Sequence, residues 1–350
     1  MGGEGGASVG QVMTVRGPVP KECLGITLPH EHLQIDLSGL FEAPRSASRQ
    51  HLIDARVTAD LYPVLLEDPY QCRDNMVLDE RDVAARELSR FRDAGGRTLV
   101  DLSTRPIGPH PEALWDLSAQ TGAHIVAGTG YYVASLHPPY VVRSPFEALR
   151  DEMEHDLTVG FGNTGIRAGI VGELGTSSPI HPTEERVLRA AAAVQRATGV
   201  GINVHLSIFS AEGLHVLDRL ETYGADLSRV ALSHLDEHLD PEYHRQIAER
   251  GAFLSFDTFG SECRFRESGE AEPQDSERIR SLLRLLDAGY VDQMLLAQDV
   301  CTKMQWHHYG GRGYDHVILT IVPSLRQAGV SERDVETMLV DNPARLLGGT

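Results

Sequence analysis

Eight short apolar runs recur along the chain. They are GITLPHEH (25–32), TLVDLST (98–104), HIVAGTGYY (124–132), AGIVGELG (168–175), GINVHLS (201–207), VALSHLD (230–236), FLSFDTFG (253–260) and QMLLAQDV (293–300). Their apolar positions are nearly continuous rather than alternating. That is the pattern of strands covered on both faces, as in a parallel sheet. Amphipathic stretches lie between them. The stretch 80–96 places Val83, Leu88 and Phe91 on one side and stops at Gly95-Gly96, a helix terminator. The stretch 183–199 begins with Thr183 and two acidic residues and ends at Gly199, and 211–224, 241–251 and 276–289 repeat that grammar. A last helix is predicted over 331–339, opened by Ser331 and Asp334 in a capping-box-like pair.

Eight strands alternating with helices predict a (β/α)8 TIM barrel in a single domain, with long loops at its C-terminal mouth. A doubly wound sheet is the alternative, but no glycine-rich phosphate fingerprint follows the first strand. The gap 33–97 exceeds one helix, and its FEAPRSASRQ portion (41–50) reads as an extended loop over the mouth. Residues 1–10 read as a flexible leader and 11–350 as the barrel. The leader has neither the basic nor the apolar region of a signal peptide, and Gly6 stands where a myristoylation signal needs Ser or Thr.

The composition is ordinary for a globular chain, 41% hydrophobic and 23% charged, but the formal net charge is -18. Such a surface repels phosphate backbones, so no nucleic-acid partner is expected. No apolar run reaches membrane-spanning length, and no membrane partner is expected. The four cysteines, Cys23, Cys72, Cys263 and Cys301, are scattered without a CxxC pair. They read as reduced thiols of a cytoplasmic protein, not a disulfide framework or a thiolate zinc site.

The polar residues inside the apolar runs carry the chemistry. In a barrel the functional face lies at the C-terminal strand ends. There the first run offers His30 and His32, the fourth Glu173, the fifth His205, the sixth His234 and the eighth Asp299. Residues two apart in a strand point the same way, so His30 and His32 face the axis and Glu31 faces away. Each alone has a plain reading; a single histidine in a strand is more often a satisfied core residue. Two buried carboxylates without partners would be strongly destabilising. A metal centre resolves the cost for all six at once. Six ligands exceed one tetrahedral zinc with an open position and suit two ions, bridged by Glu173 and a hydroxide. Asp299 would ligate and also accept the proton from that hydroxide.

The HxH pair, the carboxylate, the two single histidines and the final Asp together resemble the amidohydrolase superfamily. Within it, TLPHEHL, GTGYY, VHLS, LSHLDE, SFDTFG and the closing NPARLL resemble the phosphotriesterase-like family, and the segment 310–343 is especially similar to the phosphotriesterase homology proteins. The resemblance spans roughly 11–347. It implies a binuclear centre of two divalent ions, commonly Zn2+ with Mn2+ or Co2+ as alternatives. One ion would be held by His30, His32 and Asp299, and the other by His205 and His234. It also implies a small-molecule substrate and a homodimer. Many relatives bridge the ions with a carbamylated lysine where this chain has Glu173, which weakens any transfer of organophosphate hydrolysis.

The substrate is expected to be a carboxylic ester or lactone, a phosphorylated sugar lactone included. An amidase for small N-acyl compounds and a promiscuous phosphotriesterase are the alternatives, and a catalytically silent metal-binding barrel is the non-enzyme one. Loops choose among these. In the loop 301–316, Lys303, Arg312 and Tyr314 are expected to meet an anionic group, under a lid made flexible by Gly310, Gly311 and Gly313. Tyr131 is expected to line the pocket, with Tyr132 beside it. Arg264 and Arg266 are further cations near the mouth. His307 and His308 read as loop or substrate-contact residues, not ligands, and His238 and His244 as surface.

Overall fold

The computed structural model describes residues 10–266 and 268–348. The expected leader, apart from Gly10, lies outside the described residues. All eight apolar runs form strands. Numbered in chain order, they are β1 (Thr27–Glu31), β2 (Thr98–Asp101), β3 (His124–Thr129), β4 (Ile170–Gly175), β5 (Ile202–His205), β6 (Val230–Leu232), β7 (Phe253–Phe256) and β8 (Met294–Leu296). They make one parallel sheet in sequence order. Its two edges meet where Asp299 N donates to the His30 carbonyl at 3.3 Å. The sheet thus comes close to a closed TIM barrel with helices outside.

Two irregularities in the ladder fall at the site. The β1–β2 register slips between Leu28 and Glu31, and the β4–β5 register slips between Val171 and Leu174. An extra residue bends a strand and re-aims its side chains, which is why bulges collect at active sites. Here they place His30 and Glu173. The residue before Glu173 is bound to be glycine: Gly172 has φ +129°, and a Cβ there would sit 2.4 Å from the Asn203 carbonyl oxygen.

The helices follow the predicted pattern. Arg81–Asp93 buries Val83, Leu88 and Phe91. Pro182–Thr198 ends at Gly199 in the left-handed region, but its N-terminal capping residue is His181, paired with Glu184, not Thr183. Ser331 accepts from Asp334 N at the start of Glu332–Glu336, and helical backbone continues through Leu347. Two helices, Pro111–Thr121 and Phe146–Thr158, and an N-terminal hairpin, Gln11–Thr14 with Gly17–Pro20, add to the predicted set. The hairpin closes the barrel floor: Val12 packs with Leu24, Val100, Val126, Ile170 and Leu346 in one apolar cluster.

The long segment after β1 is not a bare loop. Ile35–Asp36 pairs with Val77–Leu78, and 3-10 turns and a short helix, Tyr62–Leu65, fill the interval. Its contributions to the mouth are Ile35, Leu37, Pro69 and Tyr70, while residues 47–52 form a 3-10 turn. No described helix is long and apolar enough to cross a membrane.

Candidate metal centre and cleft

The strand ends open into a cleft lined by His32, Glu173, His205, His234 and Asp299, with His30 fully buried beside them. Two groups have ligand atoms all within 4.8 Å of one another: His30, His32 and Asp299, and His30, Glu173 and His234. Asp299 Oδ1 is 3.1 Å from His32 Nε2 and 3.6 Å from His30 Nε2. Glu173 lies between the groups. Its Oε1 is 3.4 Å from His32 Nε2, and its Oε2 is 3.5 Å from His30 Nε2 and 3.0 Å from His205 Nδ1. His205 Nδ1 is in turn 2.8 Å from His234 Nε2. All six residues picked from the strand ends are therefore brought together.

Backbone and neighbours fix these side chains. His234 and Asp299 hold φ of 61° and 47°, a region that costs energy outside glycine and persists only where surroundings impose it. For His234 the imposing group is Asp257. Its Oδ1 accepts from the His234 backbone N–H at 2.8 Å and lies 3.1 Å from the ring Nδ1, while its Oδ2 is 2.8 Å from His30 Nδ1. One carboxylate thus orients two imidazoles and directs both Nε2 atoms at the centre. Ser103 Oγ does the same for His32 from 2.9 Å. Asp257 was not among the residues expected from the sequence, although FLSFDTFG carries the signal used for Glu173 and Asp299, a carboxylate inside an apolar run.

Burial opposes charge on His30, but Asp257 and then Asp299 outweigh it and raise its pKa to about 9. Burial likewise opposes charge on His234, and Asp257 carries it up to about 10. Burial raises the carboxyl of Asp257, and His234 and His30 more than reverse that, holding it well below the carboxylate range. Asp299 is held low against burial, first by His30.

The donor set fits divalent ions. His30 Nε2 and Asp299 Oδ1 are buried without a hydrogen-bond partner, an arrangement that costs energy unless something positive stands between them. Imidazoles with carboxylates suit zinc, manganese or cobalt. His30, His32 and Asp299 would hold one ion and His205 and His234 the other, with Glu173 between.

The residues expected to bind substrate lie elsewhere. Lys303 is 2% exposed, and its ammonium is 2.7 Å from Glu80, 3.1 Å from Asp74 and 3.6 Å from Asp79. Tyr314 is buried; its hydroxyl donates to the His32 carbonyl at 2.6 Å and accepts from Trp306. Tyr131 is buried and donates to Glu152. Arg312 is exposed and flanks a smaller neighbouring cavity with Tyr62 and Gln298. Arg264 and Arg266 are exposed, the latter paired with Glu67. His307 bonds Asp315 and His308 accompanies it in a 3-10 turn. His244, expected at the surface, is fully buried, with Nε2 on the Leu235 carbonyl. Tyr132 does line the cleft, its hydroxyl 3.4 Å from His205 Nδ1.

The cleft itself is partly open to solvent. Ile35, Leu37, Tyr70, Tyr132, Ile208 and Phe265 make an apolar wall, and Glu237 and Glu272 are acidic members. Among the described residues no lysine or arginine lines it. Lys303, Arg312, Arg264 and Arg266 are not among the described residues that line this cleft.

Comparison with known proteins agrees with this geometry. The Phosphotriesterase family model matches residues 10–347. An N-acetyltaurine hydrolase of Tetraodon nigroviridis is 36% identical over 97% of this chain and 98% of its own. A phosphotriesterase-related protein of Nematostella vectensis is 33% identical, covering 95% and 97%. Among solved structures, a resiniferatoxin-binding protein from Rhodobacter sphaeroides superposes with a TM-score of 0.94 at 39% identity, covering 97% of each chain. The phosphotriesterase homology protein from Escherichia coli, with phosphate in its active site, gives 0.78 at 32% identity, covering 93% of this chain and 99% of that one. A lactonase from Listeria monocytogenes gives 0.78 at 26%, covering 97% and 99%. With hydrolases among its relatives, and six ligand-type side chains at the mouth of a parallel barrel, the chain belongs to the phosphotriesterase family.

Proposed function

We propose that this protein is a metal-dependent hydrolase of a small carboxylic acyl compound, cleaving the bond between the carbonyl carbon and an ester, lactone or amide heteroatom. The observation that carries the reading is the pair of buried, unpartnered ligand atoms, His30 Nε2 and Asp299 Oδ1, set beside Glu173 and the ends of His32, His205 and His234. Two divalent ions bound there would supply a hydroxide nucleophile at neutral pH and polarise the carbonyl. The chain's residues do the rest. Asp257 and Ser103 keep the histidine rings in place. Asp299, kept ionised by its histidine neighbours, takes the proton released as the nucleophile attacks and can return it to the leaving oxygen or nitrogen. The apolar wall shields the acyl group from water.

Two readings of the scissile bond have support. Solved lactonases among the neighbours favour a lactone. The curated N-acetyltaurine hydrolases, up to 36% identical over nearly the full chain, favour an N-acyl amide. A phosphate- or sulfonate-bearing substrate is disfavoured by the lack of a lining cation among the described residues.

The test loads chelated protein with Zn2+, Mn2+ or Co2+ and assays neutral lactones, esters and N-acyl amines beside a phosphotriester. Turnover of a carboxylic substrate that vanishes on chelation and returns with metal supports the reading. Failure on every carboxylic substrate, with turnover of the phosphotriester alone, overturns it.

A further inference from the structure

The cleft has an acidic side with a surplus of negative charge. Glu237 is 5% exposed. Its Oε1 accepts from Thr258 at 2.5 Å and from Arg278 at 2.7 Å, but its Oε2 is buried with no partner. Glu272, half-buried on the same wall, accepts from Ser261 Oγ at 2.7 Å and Cys263 N at 2.5 Å through Oε2. Behind them Asp236 faces Arg278 at 3.2 Å. Asp275, the next carboxylate along, is paired with His316 at 2.7 Å. Arg278 is therefore shared by Asp236, Glu237 and, at 3.7 Å, Asp275, and Glu272 adds a further carboxylate beside them. A buried carboxylate oxygen without a donor is costly, and that of Glu237 belongs to a residue that lines the cleft beside His234 and Thr258.

We propose that Glu237 and Glu272 form a subsite for a protonated amine, so that the substrate is an acyl compound carrying an ammonium group at the end away from its scissile carbonyl. The ammonium supplies N–H donors to Glu237 Oε2 and to the Glu272 carboxylate and balances the surplus charge. The wall of Ile35, Leu37 and Phe265 then packs the aliphatic spacer. An anionic tail in the same place would meet two carboxylates and no lysine or arginine among the described lining residues. The placement of the carbonyl rests on the hydrolase reading above; the subsite itself does not.

The experiment measures calorimetric binding to metal-loaded protein of three acetamides of matched length: N-acetylputrescine with its ammonium, neutral N-pentylacetamide, and anionic N-acetylhomotaurine. The ammonium compound is expected to bind about tenfold or more tighter than the neutral one, and the sulfonate more weakly than either. Glu272→Gln is expected to cut that preference to about threefold or less, as is Glu237→Gln, which serves if the first variant folds poorly. Equal binding of the three by the unmodified protein, or a preference untouched in both variants, overturns the subsite. Turnover is read separately. Binding preference without hydrolysis of any acyl compound sinks the proposed reaction and leaves the subsite standing.

Discussion

Glu31 clamps the backbone on both sides of Asp299. Its Oε1 accepts from Gln298 N at 2.8 Å and its Oε2 from Val300 N at 2.9 Å. Asp299 is thereby fixed at φ 47°, with its carboxylate turned toward His30 and His32, the residues that flank Glu31 in the sequence. The middle residue of LPHEH faces away from the axis as alternation requires, but it is fully buried and reaches across to β8. Glu31→Gln retains the shape and sets an amide N–H2 against one backbone N–H. The expected loss is about 1–3 kcal/mol of stability, the scale for an unsatisfied buried donor, together with weaker metal retention at His30, His32 and Asp299. Chemical denaturation and elemental analysis after dialysis check this. Unchanged metal content would show that the clamp does not position Asp299.

Asp299→Asn keeps the side chain's shape and removes the proton acceptor. A positioned acid–base group contributes about 10²–10⁴-fold to rate, so kcat should fall by that much on any substrate the metal-loaded protein turns over. The change should appear in kcat more than in KM, because the proton moves only as the bond reorganises. A variant with kcat within about twofold of the parent would remove Asp299 from the reaction.

The sequence exposes the ligand set because burying imidazoles and carboxylates in continuous apolar runs has few physical excuses. Strand alternation then gives His30 and His32 a direction. The same logic applied to FLSFDTFG would have reached Asp257, whose backing of two histidines shows only once β1, β6 and β7 meet in the barrel. The loop cations are a different matter. Lys303 in CTKMQW looks free until the fold brings Asp74 and Glu80, more than 200 residues earlier, against its ammonium. Charge on a loop says nothing of which distant segment neutralises it. The acidic side of the cleft is equally invisible, since Glu237 and Glu272 come from different loops and meet only as walls of the folded cleft.

Asp257 bridges two histidines, so its removal should act on both ions. Asp257→Asn can accept from one ring N–H but not serve both with a charge. Outer ligand partners typically alter metal affinity by about 10–100-fold, and a shift of that size is expected in competition with a chromogenic chelator. Ser103→Ala touches His32 alone and should weaken one binding step only. Equal behaviour of the two variants would argue against the shared role of Asp257.

Lys303 ties the segment after β1 to the loop after β8. Lys303→Met should cost about 1–3 kcal/mol, because Asp74 and Glu80 lose their common cation; the cost is limited because Glu80 is 35% exposed at its side chain. The ratio of kcat/KM between neutral and anionic substrates should not move, since the ammonium does not reach the cleft. A selective loss of activity on anionic substrates would return Lys303 to the binding site.

Chelation links the centre to pH. In chelated protein His30 and His234 have pKa values raised to about 9 and about 10, above the 6.5 they would have unfolded. The folded state then binds more protons than the unfolded one between those limits. The stability they contribute is full below about pH 6.5 and is lost as pH rises through 9 to 10. Metal-free protein should therefore melt at progressively lower temperature from neutral to alkaline pH, and metal-loaded protein should lose much less. Metal uptake near pH 7.5 must expel those protons, on the order of two per centre. Calorimetric titration of Zn2+ in buffers of different ionisation enthalpy measures the number directly. Heats independent of buffer would mean that His30 and His234 are already neutral before the metal arrives.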